Sequence, residues 1–347
     1  MNLSPPVDNS GESDYAAKIQ EVARTLETWR GPVVLIAHVD PDGDALGSTL
    51  ALKRALDALG KETTLPLDAP RYLSFLAEEG ELSPPLERLP ENCLLAILDV
   101  ADEDRAEGAP LEGAAYTLNI DHHGTNVRFG DLACVEPSRA ATAHIVKDIV
   151  DALGVTWTPA IATPCLTGIL TDTGNLRFGN TTPETLRVAG DLVGHGVPYA
   201  ELTDRLQWRH PDYFRMLGKV MSTVEFPLGG LVAMARITQA MRDEIGPTDD
   251  DSDDYVGFIR YAEGAQLAIF LKERTDDEGP KTKVSARARE GVSAQAVCLA
   301  FGGGGHVAAA GATIRADIET ARRQVLEVAR EELRAKGFTV PEVAPSS

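Results

Sequence analysis

The sequence predicts an α/β protein with two domains, in which a parallel-sheet domain is joined by a helical connector to a smaller α/β domain. The first half of the chain alternates short apolar runs with segments of helical length and periodicity, which is typical of a parallel sheet. Several of these apolar runs end directly in acidic or histidine residues. The chain has 347 residues, more than the roughly 100–200 residues of one domain. Hydrophobic residues make up 43% of it, which is enough for a buried core.

The elements of the first half follow from apolar runs and helix signals taken in order. Residues 33–37 are uniformly apolar and predict a buried strand, and the next helical pattern ends at Gly60, a residue that commonly ends helices. A short amphipathic helix precedes the first strand. The further strands are predicted at 94–99 and 116–120, and the helices at 45–59, 140–152, 159–171 and 183–193.

The second half has a different pattern. Two helices, at 199–207 and 211–223, form the predicted connector, and they are followed by strands at 231–237, 266–272 and 283–288 and a last helix at 318–336. An aspartate-rich stretch at 249–254 is interpreted as a solvated loop, because it lacks the glycine and distal glutamate of a calcium loop. The predicted organisation is a disordered leader (1–14), a first domain (15–195), the connector (196–223), a second domain (224–338) and a tail (339–347).

Charge and composition restrict the classes of function. The chain has 33 Lys and Arg against 53 Asp and Glu, a formal charge of −20, which argues against a protein that tracks long duplex nucleic acid. Its apolar runs are far shorter than the ~20 residues of a membrane helix, and the N-terminus lacks the features of a signal peptide. The four cysteines are scattered singly, so we expect buried free thiols in a cytoplasmic protein without membrane contact.

Acidic and histidine side chains follow the first predicted strand. His38, Asp40, Asp42 and Asp44 lie within seven residues, where Pro41 and Gly43 impose an irregular backbone. Carboxylates mixed with imidazole suit Mn²⁺, Mg²⁺ or Fe²⁺. The alternative interpretation is a turn that caps the next helix, with Asp44 as its N-cap.

Other candidate ligands lie at the ends of later apolar segments. Asp99 follows the second strand, Asp121, His122 and His123 follow the third, and Asp172 ends an apolar helix. Because ligands bind at the carboxyl ends of strands in open α/β sheets, we expect these groups to converge on one crevice. An unpaired carboxylate is costly to bury, and metal ions would supply the missing charge.

Four ordered segments together resemble the motifs of the DHH phosphoesterase superfamily: His38-Val39-Asp40-Pro41-Asp42-Gly43-Asp44-Ala45, Leu98-Asp99-Val100, Asp121-His122-His123 and Thr171-Asp172-Thr173-Gly174. Near the C-terminus, Ser285-Ala286-Arg287 and the glycine run before His306 resemble the DHH-associated substrate domain, although relatives often have a larger residue than Ala286. The two-domain length is similar to the branch of nanoRNases and pAp phosphatases.

The resemblance implies a role for each matched residue. His38 and Asp42 would hold one divalent ion, and Asp44, His122 and Asp172 the other. Asp99 would bridge the two ions, Asp121 would orient an imidazole, and His123 would contact the scissile phosphate or assist the leaving oxygen. The substrate residues implied in the second domain are Ser285, Arg287, Gly303, Gly304, Gly305 and His306. The backbone N–H groups of the glycine run are expected to approach a phosphate.

The activity that the resemblance implies is hydrolysis of oligoribonucleotides, from dinucleotides to pentanucleotides, to mononucleotides and of pAp to AMP. The implied binding partners are short single-stranded RNA or DNA oligonucleotides and pAp. Two divalent ions, Mn²⁺ foremost and Mg²⁺ as the alternative, would serve direct displacement at phosphorus. Relatives imply a homodimer. The alternatives left open are a phosphodiesterase for cyclic di-AMP or pApA, an inorganic pyrophosphatase, a long-strand exonuclease and a nucleotide sensor without catalysis.

Overall fold

The computed structural model describes residues 10–246 and 254–341 of the chain. Most of the predicted leader, the aspartates at 249–253 and the tail beyond residue 341 lie outside the described residues. The chain divides into two compact units, Met1–Trp208 and Arg209–Ser347.

The first unit is built on a parallel sheet, as predicted. Its strands are β1 (Val33–His38), β2 (Thr63–Thr64), β3 (Leu94–Leu98), β4 (Ala106–Glu107), β5 (Tyr116–Asp121) and β6 (Leu132–Val135). The parallel strands follow the order β2-β1-β3-β5-β6, and β4 pairs antiparallel with the end of β1. All residues of β1 and β3 are buried, which explains why these strands are continuous apolar runs instead of alternating patterns.

The α-helices in the described part of the first unit are α1 (Ser10–Thr28), α2 (Gly43–Ala58), α3 (Thr142–Ala152), α4 (Pro159–Asp172), α5 (Pro183–Gly194) and α6 (Tyr199–Gln207). α2 and α4 pack closely because Gly47 has no side chain, and a Cβ atom there would lie 2.4 Å from the carbonyl oxygen of Pro164. This close packing brings the beginning of α2 and the end of α4, both rich in candidate ligands, into the same region.

The second unit contains a mixed five-stranded sheet. In chain order its elements are α7 (Pro211–Met221), β7 (Val232–Ile237), α8 (Gln239–Ile245), α9 (Tyr255–Ile259), β8 (Leu267–Asp276), β9 (Gly279–Ala288), α10 (Ala294–Leu299), β10 (Gly304–Gly305), β11 (Ala309–Ile314) and α11 (Ile318–Ala335). The strand order is β10-β11-β9-β8-β7, with only the β7–β8 pair parallel. One face packs against α10 and α11 and the other against α7 and α9.

The two helices of the predicted connector are present but belong to different units. Leu202 and Leu206 of α6 are buried in the core of the first unit, whereas Tyr213 and Met216 of α7 are buried in the second. The boundary between the units lies between Trp208 and Arg209, inside the predicted connector. Among the described helices, none is both long and apolar enough to cross a membrane.

Candidate metal centre

Three neighbouring strands deliver the central histidine and aspartate side chains of the site. His38 is the last residue of β1, Asp99 follows β3, and His122 follows β5. Since β3 lies between β1 and β5 in a parallel sheet, the carboxyl ends of all three strands meet at one edge. The predicted convergence of these groups is therefore present in the structure.

His38, Asp42 and Asp99 form the first group of potential metal ligands. One donor atom from each lies within 4.8 Å of the others. Nε2 of His38 is 3.5 Å from Oδ2 of Asp99 and 3.9 Å from Oδ1 of Asp42. The three donors thus surround a common point, as ligands of a single ion would.

Asp44, His122 and Asp172 form a second group with the same spacing. Nε2 of His122 is 3.2 Å from Oδ2 of Asp172 and 3.9 Å from Oδ2 of Asp44. Asp44 is completely buried at the beginning of α2, and Asp172 is the last residue of α4. These two groups coincide with ligand sets that the sequence motifs imply, and a third group consists of Asp99, His122 and His123.

Asp99 lies between the two groups and presents one carboxylate oxygen to each. Its Oδ2 faces His38, and its Oδ1 is 3.7 Å from Nε2 of His122. Asp99 is 4% exposed, and its backbone φ angle of 60° is one that few residues other than glycine adopt. Strained backbone of this kind clusters at functional sites, where the surrounding structure holds it in place.

Asp42 both lines the site and caps a helix. It is the N-cap of α2, with its Oδ1 accepting hydrogen bonds from the N–H groups of Asp44 at 2.9 Å and Ala45 at 3.1 Å. A cap was expected here, but with Asp44 as the N-cap. The N-cap is Asp42 because α2 begins at Gly43, two residues before the start that the apolar periodicity predicts. Asp40 is exposed with a φ angle of 55°, and it belongs to none of the described ligand groups.

The N-terminus of α3 holds the carboxylate of Asp44. The N–H of Thr142 donates to Oδ2 of Asp44 at 2.6 Å, and the N–H of Ala143 donates to Oδ1 at 2.8 Å. The N-cap residue of α3 is Ala141, which has no side chain that can cap, so Asp44 satisfies these N–H groups from another helix. Gly168 leaves room for this contact, because a Cβ atom there would lie 2.7 Å from Oδ1 of Asp44.

Thr142 supports a second ligand as well, since its hydroxyl group donates to Oδ1 of Asp99 at 3.0 Å. This residue was not predicted from the sequence. A threonine at the beginning of a helix indicates only a local cap, and the contact with Asp44 spans 98 positions of sequence.

The clustered carboxylates make the site strongly electronegative and shift the pKa values of its groups. Burial, together with repulsion from Asp99 and Asp172, raises the pKa of the Asp44 carboxyl. Burial opposes charge on His38, but attraction to Asp42 and Asp99 outweighs it and raises the pKa of the imidazole to about 10. The pKa of His122 is lowered, chiefly by burial, which favours the neutral form that ligates metals.

The donor set fits two divalent cations. When ionised, the four grouped carboxylates of Asp42, Asp44, Asp99 and Asp172 carry four negative charges, which two divalent ions match. Oxygen and imidazole donors without thiolate are the ligands preferred by Mn²⁺ and similar ions. The adjoining cavity has a volume of about 160 Å³, several times the ~30 Å³ of one water molecule.

His123 belongs to the third group of potential ligands, with its Nδ1 3.6 Å from Oδ1 of Asp99, and a hydrogen-bonded network holds it. Its Nδ1 lies 2.7 Å from Oδ1 of Asp121, and Oδ2 of Asp121 accepts from the amide of Asn126 at 2.6 Å. Burial opposes charge on His123, but the bond to Asp121 and attraction to Asp99 raise its pKa to about 9. The structure thus places Asp121 against an imidazole, as the motif implies, while Asn126 was not anticipated.

The cavity wall also contains an arginine that the sequence analysis missed. The lining residues are His38, Asp42, Asp99, Val100, Ala101, Arg105, His123 and Asp172. Arg105 lies in an acidic surface segment, and no motif distinguishes it from a solvated side chain.

The candidate substrate residues of the second unit lie at one end of its sheet. Ser285 and Arg287 are alternate residues of β9 and therefore share a face. Ser285 is 7% exposed and pairs with Gly311, and Arg287 pairs with Ala309. His306 is exposed and lies in the turn between β10 and β11, where its N–H donates to the carbonyl oxygen of Ala309 at 2.7 Å.

The first half of the glycine run forms backbone hydrogen bonds within the chain. The N–H groups of Gly302 and Gly303 donate to the carbonyl oxygens of Leu299 and Cys298, both at 3.0 Å, so they are not available to a phosphate. Gly302 lies in the turn that follows α10 and has a φ angle of 71°. At Gly303 a Cβ atom would lie 2.2 Å from the carbonyl oxygen of Gly311, so glycine permits the close approach of β11.

Comparison with known proteins agrees with this architecture. Residues 32–169 match the DHH family, N-terminal domain, and residues 232–335 match the DHHA1 domain. Over 331 residues the chain is 54% identical to the bifunctional oligoribonuclease and PAP phosphatase NrnA of Thermus thermophilus, a match covering 95% of this chain and 99% of that protein. The protein of the same name from Bacillus subtilis is 26% identical over 299 residues, covering 85% and 92% of the two chains.

A solved structure shows the same fold. The exopolyphosphatase-related protein from Bacteroides fragilis matches with a TM-score of 0.81 at 19% identity, covering 93% of this chain and 98% of that one. The sequence matches to the two family domains and to the Thermus relative establish that the chain belongs to the DHH family of phosphoesterases. The resemblance inferred from the four motifs is thereby confirmed.

Proposed function

We propose that this protein is a two-metal phosphoesterase that hydrolyses di- to pentaribonucleotides to mononucleotides and converts pAp to AMP. The observation that carries the proposal is the position of Asp99, whose two oxygens face two separate groups of potential ligands. The name of the Thermus relative, 54% identical over nearly its whole length, supports the choice of substrates.

The proposed ligands of one ion are His38, Asp42 and Asp99, and those of the other are Asp44, His122, Asp172 and again Asp99. We propose Mn²⁺ as the ion, with Mg²⁺ as the alternative, because the donors are carboxylates and imidazoles. When bound, the ions supply Lewis acidity and offset the charge of the reacting phosphate.

The chain's own groups orient the substrate and handle its protons. His123 lines the cavity and contacts the scissile phosphate or gives a proton to the leaving oxygen. Asp121 fixes the orientation of that imidazole through Nδ1. In the second unit, Arg287, Ser285 and His306 bind the substrate with side chains, and Gly304 and Gly305 contribute backbone of the short strand β10.

We further propose a homodimer located in the cytoplasm. The four cysteines all lie in the described part of the chain as buried free thiols, which suits a reducing compartment. Light scattering of the purified protein distinguishes a monomer of 37.1 kDa from twice that mass.

The proposal is tested with the full chain, Mn²⁺ and labelled substrates. A series of oligoribonucleotides of increasing length is compared with pAp and cyclic di-AMP, and Asp99→Asn serves as the inactive control. We expect rapid release of mononucleotides from the shortest oligomers and of AMP from pAp. Preference for cyclic di-AMP, equal rates at all lengths, or full activity of Asp99→Asn would each contradict the proposal.

A further inference from the structure

Residues 100–105 form one wall of the cavity beside the candidate metal ligands, and hydrogen bonds hold this segment at both ends. At its beginning, the carbonyl oxygen of Val100 accepts hydrogen bonds from the amides of Asn119 at 3.0 Å and Asn126 at 2.9 Å. At its end, the carbonyl oxygen of Arg105 accepts from the N–H of Val39 at 2.9 Å. The next residue, Ala106, pairs with His38 in the β1–β4 ladder. The backbone of Arg105 is thus held next to a candidate ligand.

The charge of Arg105 distinguishes it from the rest of the wall. Among the described residues that line the cavity, it is the only one with a permanent positive charge. Its neighbours Asp102, Glu103 and Asp104 are acidic and exposed, and Asp102 is engaged in capping their turn. Within the described ranges, the guanidinium of Arg105 makes no ion pair with a carboxylate. Its donors are therefore available to an anion that enters the cavity.

We propose that Arg105 binds the non-bridging oxygens of the phosphate undergoing hydrolysis. This inference rests on the proposed function and deepens it by assigning a contact for the reacting group. The planar guanidinium presents paired N–H donors that match two phosphate oxygens, and it contributes charge where negative charge develops.

The role assigned to Arg105 is electrostatic and involves no proton transfer. Hydrolysis adds a water oxygen to phosphorus and breaks the ester P–O bond, and both of those oxygens differ from the ones that Arg105 holds. The guanidinium of an arginine stays protonated in proteins, so it cannot act as the acid in this reaction. The proton that the leaving oxygen acquires must come from another group.

The test compares Arg105→Gln and Arg105→Lys with Arg88→Gln, a matched change at an exposed arginine of the same unit that does not line the cavity. With saturating Mn²⁺, we expect Arg105→Gln to lower kcat/KM for a diribonucleotide by about 100- to 1,000-fold. The loss of kcat/KM in Arg105→Lys should be smaller, because lysine keeps the positive charge but lacks the paired N–H donors of the guanidinium. Mn²⁺ affinity measured by calorimetry should be unchanged in all three. A kcat/KM of Arg105→Gln within threefold of wild type, or an equal loss of Mn²⁺ affinity, would overturn the inference.

A binding measurement separates this inference from the proposed function. Inorganic phosphate is titrated onto the Mn²⁺-loaded wild type and Arg105→Gln, with no turnover required. We expect at least about tenfold weaker binding to the variant, and equal binding would overturn the role of Arg105 whatever the substrate is. If wild type cleaves neither a diribonucleotide nor pAp but Arg105→Gln still binds phosphate more weakly, only the proposed function fails.

Discussion

The Nδ1 atom of His123 lies 2.7 Å from Oδ1 of Asp121, and this contact connects the candidate catalytic imidazole to a buried polar network. Oδ2 of the same carboxylate accepts from Asn126, whose amide also donates to Asn119 and to the carbonyl oxygen of Val100. A single network thus fixes His123 and the cavity wall that ends at Arg105.

Replacing Asp121 by asparagine should impair catalysis without emptying the metal sites. Asp121 belongs to neither of the two ligand groups that meet at Asp99, but its carboxylate orients His123. We expect Asp121→Asn to lower kcat about 10- to 100-fold, with little change in KM or Mn²⁺ affinity. The matched control is Asp131→Asn, an exposed aspartate that accepts hydrogen bonds from Thr117. Unchanged kcat in Asp121→Asn would show that the imidazole needs no such orientation.

The hydroxyl group of Thr142 is predicted to contribute to metal affinity. It donates to Oδ1 of Asp99, and its own backbone N–H donates to Asp44. Thr142→Val keeps the shape and the backbone contact but removes the hydroxyl, so we expect about tenfold weaker Mn²⁺ binding by calorimetry. Thr142→Ser, which keeps the hydroxyl, should bind as wild type does. Equal affinities of the Val and Ser variants would remove the role of the hydroxyl.

Gly168 should tolerate no side chain. A Cβ atom at this position would lie 2.5 Å from the Cβ of Ala143 and 2.7 Å from Oδ1 of Asp44. We expect Gly168→Ala to lower the free energy of unfolding by about 1–3 kcal/mol and to weaken Mn²⁺ binding. Gly190→Ala in α5 is the control, because open space surrounds that position and alanine favours helix there. A Gly168→Ala protein with wild-type stability and Mn²⁺ affinity would contradict this account of the α4 contact.

His144 is predicted to make the fold sensitive to acid. It is 1% exposed, neither ring nitrogen has a hydrogen-bond partner in the described part of the chain, and burial lowers its pKa to about 4. The unfolded chain, with a histidine pKa near 6.5, therefore binds more protons between pH 6.5 and 4. Stability should be complete above pH 6.5 and should fall as the pH decreases through this window, by about 3 kcal/mol at most.

The measurement is urea unfolding of metal-free wild type and His144→Leu at several pH values. The variant should lose less stability between pH 6.5 and 4 than wild type. His210→Asn, a change at an exposed histidine, should retain the wild-type slope. Parallel curves for wild type and His144→Leu would show that His144 contributes nothing to the acid sensitivity.

The positions of the candidate ligands could be predicted from the sequence, but the hydrogen bonds that hold their side chains in place could not. His38, Asp99 and His122 were predictable because each follows an apolar strand, and the edge of a parallel sheet brings strand ends together. Thr142 was not predictable, because its partners lie 43 and 98 positions away and its sequence context indicates only a helix start. Such hydrogen bonds depend on how distant elements pack together, which the residues next to Thr142 in the sequence do not indicate.

The glycine run illustrates a second limit of sequence reasoning. A run of glycines permits both an anion-binding loop and a close approach of backbones, and only the tertiary structure decides between them. Here Gly303 is fixed by the neighbouring strand β11, and its N–H is used by the end of α10. The strands β2, β4, β6, β10 and β11 were also missed. The first four have only two to four residues and show no clear periodicity, and β11 consists mainly of alanine and glycine.

The number and coupling of bound Mn²⁺ ions test the central claim most directly. Metal-free protein is titrated with Mn²⁺ and followed by calorimetry and by electron paramagnetic resonance, in wild type and in Asp99→Asn. We predict two ions per chain with a spin-coupled signal in wild type, and loss of the coupling together with loss of hydrolysis in Asp99→Asn. The claim that Asp99 connects two metal positions would be contradicted by a single bound ion per chain in active wild type. It would also be contradicted by a spin-coupled pair of ions and full activity in Asp99→Asn.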